Sequence, residues 1–324
     1  MDKISIIIPC YNEEDVLPEL FQRLSSVTAT WGMEHEIICV DDGSRDRTWE
    51  MLKAQNQKDP RWRCLSFARN FGHQTAVSAG LYYAGGDAVA VIDADLEDPP
   101  EVISQFIAKW REGYDVVYGI RQKRKVSWLK RVCYWTFYRL MARLVAFDIP
   151  LDTGDFCLIS RRVLETINAM PERNRFVRGL RAWSGFRQTG ITYERSARFA
   201  GEPKYNFKKL LKLAMDGLFS FSTVPLRVAT YIGLSVSGLA FIGVLFTLVQ
   251  KIFAEQLTKI GLAPSPGFPT IVISVLFLGG VQLICLGILG EYIGRIYEEV
   301  KGRPLWILRD SAGIALEAKN GFRK

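Results

Sequence analysis

The chain has 324 residues, 48% of them hydrophobic and 23% charged, with a formal net charge of +8. A mean hydropathy of +0.06 makes it more apolar than an ordinary soluble enzyme yet too polar to lie wholly in a membrane, and the composition excludes disordered, collagen-like and disulfide-scaffold classes. The positive charge calls for an acidic partner: nucleic acid, an anionic membrane or a phosphorylated substrate. It is unevenly spread, with net −8 over residues 1–100, +13 over residues 101–227 and +3 over residues 228–324.

Residues 4–8 are an apolar run ending at Pro9, the pattern of a buried parallel strand. Asn12, Glu13 and Glu14 open a predicted helix that reaches about Ser26, with Leu17, Leu20, Phe21 and Leu24 on one face. Residues 36–40 form a second strand closed by Asp41-Asp42-Gly43-Ser44, and Ser44 or Asp46 caps a helix over residues 48–57. A third strand over 63–67 runs into Arg69-Asn70-Phe71-Gly72 and a small-residue helix over 75–84. A fourth, over 88–92, ends in Asp93-Ala94-Asp95. Four alternations of strand and helix predict an α/β fold with a right-handed parallel sheet, whose ligands bind beyond the carboxyl ends of the strands. Tyr11, Glu13, Asp41, Asp42, Arg69, Asn70, Asp93 and Asp95 all fall at those ends.

Neither a GxGxxG fingerprint nor a Walker A loop is present in the sequence, so phosphate binding needs another device. Asp93 and Asp95, two residues apart at a strand end, offer carboxylates to Mg²⁺ or Mn²⁺, which take one or two carboxylates together with phosphate oxygens. Such acidic strand ends also serve as helix caps. The neighbouring Glu97 and Asp98 favour the cation, because anions packed this closely repel.

A strand over 115–118 leads to Arg121, Lys123, Arg124 and Lys125; Arg121, nearest the strand, is the better phosphate ligand, and the two lysines read equally well as solvated charges. Residues 126–147 interleave Trp128, Trp135, Phe137 and Tyr138 with Lys130, Arg131, Arg139 and Arg143, and residues 206–221 set Lys208, Lys209 and Lys212 among Phe207, Leu210 and Leu211. Both segments are expected to be amphipathic helices on a membrane surface, with a core-facing helix the alternative for the first. This favours a membrane over nucleic acid as the anionic partner. Two charge-free apolar stretches, 228–250 and 270–290, are long enough to cross a bilayer, and the proline-rich connection between them makes a transmembrane hairpin. Lys204, Lys208, Lys209, Lys212 and Arg227 before the first stretch and Arg295, Lys301, Arg303 and Arg309 after the second outnumber Lys251 and Lys259 between them, which predicts that both chain ends are cytoplasmic. No signal peptide is expected at the N-terminus. The six cysteines lack metal-site spacing and read as small buried hydrophobes of a reducing compartment.

Pro9-Cys10-Tyr11-Asn12-Glu13, Val40-Asp41-Asp42-Gly43-Ser44-Arg45-Asp46 and Asp93-Ala94-Asp95 resemble the signature of family 2 glycosyltransferases with the GT-A fold. The run Asp93-Ala94-Asp95-Leu96-Glu97-Asp98-Pro99-Pro100-Glu101, with Thr153-Gly154-Asp155-Phe156, Phe199-Ala200-Gly201-Glu202-Pro203-Lys204-Tyr205 and Gly290-Glu291-Tyr292-Ile293-Gly294-Arg295, is similar to the polyprenyl-phosphate glycosyltransferases. It resembles the bactoprenol glucosyltransferases of the GtrB type, and the dolichyl-phosphate mannose synthases more distantly. The likeness covers nearly the whole chain. It departs at Glu97, where relatives more often carry Gln, and at Pro203, where Ser is expected.

The resemblance implies a GT-A (Rossmann-like), mostly parallel sheet domain, interfacial amphipathic helices and a C-terminal two-helix transmembrane hairpin. The implied division is a nucleotide-sugar-binding core over 1–125, an acceptor-side part over 126–227, a hairpin over 228–293 with spans at about 228–250 and 270–292, and a cytoplasmic tail over 294–324. By the same resemblance Pro9, Tyr11, Glu13, Asp41 and Asp42 line the base and ribose, with Arg69, Asn70, Gly72 and Gln74 as a neighbouring wall. Asp93 and Asp95 hold a Mg²⁺ or Mn²⁺ ion on the diphosphate, with Glu97 as a third ligand. Arg121 and Asp155 are the catalytic pair, and Arg178, Arg195, Arg198 and Lys204 neutralise the acceptor phosphate. The implied reaction is inverting transfer of a sugar, best matched by glucose from UDP-glucose, to undecaprenyl phosphate at the cytoplasmic face of the inner (plasma) membrane. A phosphate monoester has a second pKa of about 6, so the acceptor needs little deprotonation and Asp155 has an orienting role open to it beside that of a base. A processive polysaccharide synthase is an alternative, but its Gln-x-x-Arg-Trp motif has only a loose echo over 178–183. A non-enzymatic sugar-nucleotide-binding adaptor is another. Gly290-x-x-x-Gly294 is a helix-packing pattern that leaves homo-oligomerisation open.

Overall fold

The structure, a computed structural model, describes residues 2–121, 153–173, 175–194, 224–253 and 267–315. The chain forms two compact units, one of residues 1–217 with 302–324 and one of residues 218–301.

The first unit is built on strands β1 (Lys3–Cys10), β2 (Glu34–Asp41), β3 (Trp62–Phe67) and β4 (Ala88–Val91), alternating with helices α1 (Leu17–Ala29), α2 (Thr48–Lys58) and α3 (His73–Tyr83) and followed by α4 (Val102–Arg111). β1 pairs in parallel with β2 and β4, and β2 in parallel with β3. Seven of the eight β1 residues are buried, because helices cover both faces of a parallel sheet and its strands therefore read as continuous apolar runs. α1 carries Leu17, Leu20 and Leu24 to the core with a proline in its first turn, where the missing N–H costs nothing. Gly80 lets α3 lie directly on β1: a Cβ there would fall 2.2 Å from Ile7 Cγ2.

The next elements are β5 (Val116–Arg121), β6 (Thr153–Ser160), α5 (Arg161–Ala169), α6 (Val177–Trp183) and β7 (Gln188–Tyr193). β6 runs antiparallel between β4 and β5, and β7 joins β5 in parallel. With β8 (Leu308–Ala312) antiparallel on β3, they complete one eight-stranded mixed sheet in the order β7-β5-β6-β4-β1-β2-β3-β8. Two expected boundaries differ from this. The sheet does not divide at residue 125, because β6 and β7 belong to it. Nor is 294–324 simply a tail, because β8 returns to cover the β3 edge, which would otherwise be open to pairing with another chain. Five residues without apolar alternation, Leu-Arg-Asp-Ser-Ala, carry no strand signal of their own.

At the amino ends of the strands, Glu36 is buried and accepts hydrogen bonds from Lys3 Nζ at 2.7 Å, Ser5 Oγ at 2.6 Å, Gly85 N at 2.6 Å and Arg63 Nη1 at 2.8 Å. Burial alone would raise its pKa; these partners outweigh that and hold it at about 2. Cys10, Cys39, Cys64 and Cys157 are buried and unpaired, as expected for small core residues.

The second unit contains α7 (Val224–Ile252) and α8 (Phe268–Val300). Both are long and apolar enough to cross a membrane. Leu234 is 65% and Leu283 70% exposed; apolar side chains facing outward all round a long helix suit lipid rather than water. Cys285 Sγ lies 3.7 Å from Ala229 O, tying one helix to the other. The expected amphipathic segments 126–147 and 206–221 lie outside the described residues.

Candidate active site

The loops after β1 and β2 are bonded to each other before any ligand is considered. The backbone N–H groups of Asn12, Glu13 and Glu14 donate to Ser44 Oγ, Thr48 Oγ1 and Asp46 Oδ2, and Arg45 N donates back to Asn12 Oδ1. Asn12 adopts a left-handed conformation at φ 53°, which Asn tolerates better than most residues. Pro9 and Tyr11 therefore stand at a fixed strand end, with Glu13 starting the following turn.

Asp41 is fully buried. Its Oδ1 accepts from Ser44 N at 2.9 Å and its Oδ2 from Ser66 Oγ at 2.6 Å. Asp42 accepts from Phe71 N at 2.7 Å and Gly72 N at 2.9 Å, fastening the loop that carries Arg69 and Gly72. Burial raises the Asp42 pKa, and these two backbone bonds only partly offset it. Gly43, at φ 70°, makes the approach of that loop possible, since a Cβ would lie 2.5 Å from the Arg69 carbonyl carbon. Arg69 stacks its guanidinium 3.9 Å from the Phe71 ring.

Asp93, Asp95 and Glu97 follow β4. Glu97 N donates to Asp95 Oδ1 at 3.1 Å, and Leu96 between them is buried in a left-handed conformation at φ 57°. A bulky residue held there signals a backbone the surroundings over-determine. Asp93 Oδ1 has a 3.6 Å ion-pair contact with His73 Nε2 and no hydrogen-bond partner. Burial, with Asp155, Asp98 and Asp95 nearby, raises its pKa to about 6 against the pull of His73. Among the described residues no three His, Cys, Asp or Glu side chains form a ready metal cage. The donor set fits a hard cation that completes its shell with substrate phosphate oxygens: Asp93 has an unsatisfied oxygen, and carboxylates crowd around it.

Asp155, on β6, faces the same place. Its Oδ2 accepts from Gln74 Nε2 at 2.7 Å and lies 3.3 Å from His73 Nε2, while Oδ1 lies 3.6 Å from Arg178 Nε on α6. Burial would raise its pKa, but His73, Arg178 and Gln74 hold it well below the usual carboxylate range. Gln74 also accepts from Val177 N at 2.9 Å, anchoring the start of α6. His73 is opposed by desolvation yet reaches a pKa of about 9, because Asp155, Asp93 and Asp42 surround it.

Arg121, at the end of β5, turns toward Asp98: Nη2 lies 3.3 Å from Asp98 Oδ2, and Nε donates to Tyr193 Oη at 3.3 Å. The Tyr193 hydroxyl donates to Asp98 Oδ1. Desolvation works against the charge on Arg121, and the Asp98 carboxylate more than restores it. Gly154, next to Asp155, leaves room for this arginine, whose Nη2 would lie 2.8 Å from a Cβ.

The structure thus gathers His73, Gln74 and Arg178 around Asp155, with Asp93 on the other side of the imidazole, and places Pro9, Tyr11, Asp41, Asp42 and Arg69 on neighbouring strand ends and loops. Arg195, Arg198 and Lys204 lie outside the described residues. No sequence motif singles out His73 or Tyr193, and Asp98 reads in the sequence only as part of an acidic patch. One signal was available: His73 is one of only two histidines and directly follows the Gly72 turn.

The site thus consists of paired aspartates beyond one end of an α/β sheet strand and a buried cation–carboxylate cluster beside them. The chain belongs to glycosyltransferase family 2: the family described as Glycosyl transferase family 2 matches residues 5–167. GtrB C-terminal hairpin matches residues 224–296. The chain is 46% identical to the glycosyltransferase YkcC of Bacillus subtilis (strain 168), over 96% of this chain and 94% of that protein. It is 43% identical to the bactoprenol glucosyl transferase of Shigella phage SfII, over 95% and 98%. To the prophage bactoprenol glucosyl transferase homolog of Escherichia coli (strain K12) it is 42% identical, over 95% and 98%.

Proposed function

We propose that the protein transfers glucose from UDP-glucose to undecaprenyl phosphate, with inversion, at the cytoplasmic face of the inner membrane. The observation that carries this reading is the imidazole of His73 between Asp93 and Asp155, with Asp93 read as the donor-side and Asp155 as the acceptor-side carboxylate. The near full-length likeness to bactoprenol glucosyl transferases supports the choice of sugar and lipid. The GtrB hairpin supports membrane attachment.

Asp93 and Asp95, with Glu97, would hold Mg²⁺ or Mn²⁺. When bound, the cation supplies charge neutralisation on the departing diphosphate. Arg121 faces the same side and adds a fixed positive charge, oriented by Asp98 and Tyr193. Base and ribose lie along Pro9, Tyr11, Glu13, Asp41 and Asp42, beside Arg69, Gly72 and Gln74. A lipid phosphate oxygen attacks C1 from the face opposite the diphosphate; the new C1–O bond forms as the bond to the diphosphate oxygen breaks, and UDP departs. Arg178, with Arg195, Arg198 and Lys204, neutralises the acceptor phosphate. Asp155 orients the acceptor: a carboxylate held this far below its usual pKa is a poor proton acceptor. The protein spans the membrane twice with both ends cytoplasmic, and Gly290 and Gly294, with open space beside each, offer a surface for association of hairpins in a homo-oligomer.

The test is incubation of the purified full-length protein with undecaprenyl phosphate and a panel of nucleotide sugars, with the lipid product read by mass spectrometry. One hexose per lipid, from UDP-glucose and only with a divalent cation, is expected. A polymer would establish the processive alternative, and donor binding without transfer or hydrolysis the adaptor.

A further inference from the structure

The chain leaves α8 at Val300 and returns to the catalytic unit as β8. The return is firmly seated. The buried Trp306 stacks on Phe67 and meets Tyr82 edge-on. Ala68 N donates to Ile307 O at 2.9 Å. Asp310 accepts from Trp49 Nε1 and pairs with Lys53. Within this strand the β3–β8 register breaks: Ser66 opposes Asp310 and Phe67 opposes Leu308, so Arg309 sits in a bulge. A bulge re-aims the side chain it carries. Here it directs Arg309 over the sheet's carboxyl end, where Nη2 reaches Ser66 Oγ at 2.8 Å and Asp41 Oδ2 at 3.4 Å.

Asp41 is 0% exposed, while the Arg309 side chain is 46% exposed. The arginine therefore forms the solvent-facing surface over that aspartate. The guanidinium stands over the ends of β2 and β3, two to three strand intervals from β4, whose end bears Asp93. At about 4.8 Å each, that is roughly 10–14 Å, away from the phosphates that a cation at Asp93 would hold. The distance suits the other end of a nucleotide.

We propose that Arg309, delivered by the strand that follows the membrane hairpin, binds the nucleobase end of the donor and contributes to base selectivity. This rests on the nucleotide-sugar reading above. A guanidinium has five N–H donors and no acceptor. It pairs with uracil O4 or guanine O6, the positions at which cytosine and adenine carry an amine that cannot accept from it. Nη2 makes the contacts to Ser66 and Asp41, which leaves Nε and Nη1 to face a base.

The experiment is calorimetric titration of the full-length protein, in magnesium, with UDP, CDP and inorganic pyrophosphate, on wild type, Arg309→Ala and Arg309→Lys, with thermal melting of each. Wild type is expected to prefer UDP to CDP. Arg309→Ala should weaken UDP by ~10-fold or more, the scale of a lost hydrogen bond to a charged group, bring UDP and CDP together and leave pyrophosphate unchanged; Arg309→Lys should recover part of the loss. UDP binding unaltered in Arg309→Ala overturns the inference alone. A parallel loss of UDP and pyrophosphate with a lowered melting temperature also overturns it, in favour of a purely structural clasp. A wild type that binds no nucleotide at all removes the donor reading as well.

Discussion

At the scale of single residues, the site is defined by which partners each carboxylate has. Asp41 and Asp42 are engaged by Ser44, Ser66 and the 71–72 backbone. Both carboxylates are buried and hold the loops after β2 and β3 in place. Asp93 keeps an oxygen without a hydrogen bond. Asp155 is surrounded by His73, Gln74 and Arg178, which makes it a stable anion. Asp155→Asn keeps the shape and removes the charge, so kcat should fall by ~100-fold or more, within the range for a positioned catalytic group, with the UDP dissociation constant unchanged. Steady-state kinetics beside calorimetry check this, and lost UDP affinity would place Asp155 in the donor site instead.

At the scale of elements, tertiary bonds override local signals. Asn12–Glu14 look like a helix start, yet α1 begins at Leu17: Asn12 is left-handed at φ 53°, which a right-handed helix does not accommodate, and residues 12–14 are fastened to the β2 loop. Asp46 does serve α2 as expected: its Oδ1 accepts from Thr48 N at 3.0 Å. At the opposite end of the sheet, Glu36 joins β1, β2, β3 and the turn after α3. Its folded pKa of about 2 lies below the ordinary 4.5, so its stabilisation is complete above pH 4.5 and disappears as pH falls toward 2. Up to about 3 kcal/mol is at stake. Glu36→Gln should lower the melting temperature at pH 7 and narrow its gap to wild type near pH 2–3, as followed by thermal unfolding across that range. A gap that stays constant with pH would show that the Glu36 charge contributes nothing.

At the scale of the whole molecule, the charge distribution follows the layout. The net −8 of residues 1–100 contains the donor-side carboxylates, and the net +13 of residues 101–227 contains the arginines assigned to phosphate. The sequence after α8 returns to the catalytic unit, which agrees with the proposed topology of two spans with both ends cytoplasmic. Trypsin added to sealed inverted vesicles should therefore digest the catalytic unit, while the same protease outside intact spheroplasts should not. The reverse pattern would invert the proposed orientation.

The four parallel strands, the acidic ends after β2 and β4, and the apolar hairpin are legible in the amino-acid order, because each is written in local periodicity or in a short motif. The signature residues were legible for the same reason: Asp93 and Asp155 stand in runs that can be recognised without knowing their neighbours. Three-dimensional packing sets the rest: β6 enters antiparallel between β4 and β5, β8 closes the far edge, and His73 lies between the carboxylates of Asp93, beyond β4, and Asp155, on β6. It alone brought Arg309 to Asp41, a contact across 268 residues of sequence. Contacts over such separations depend on how packed elements align and on a single bulge in one strand pair, and no local pattern records either.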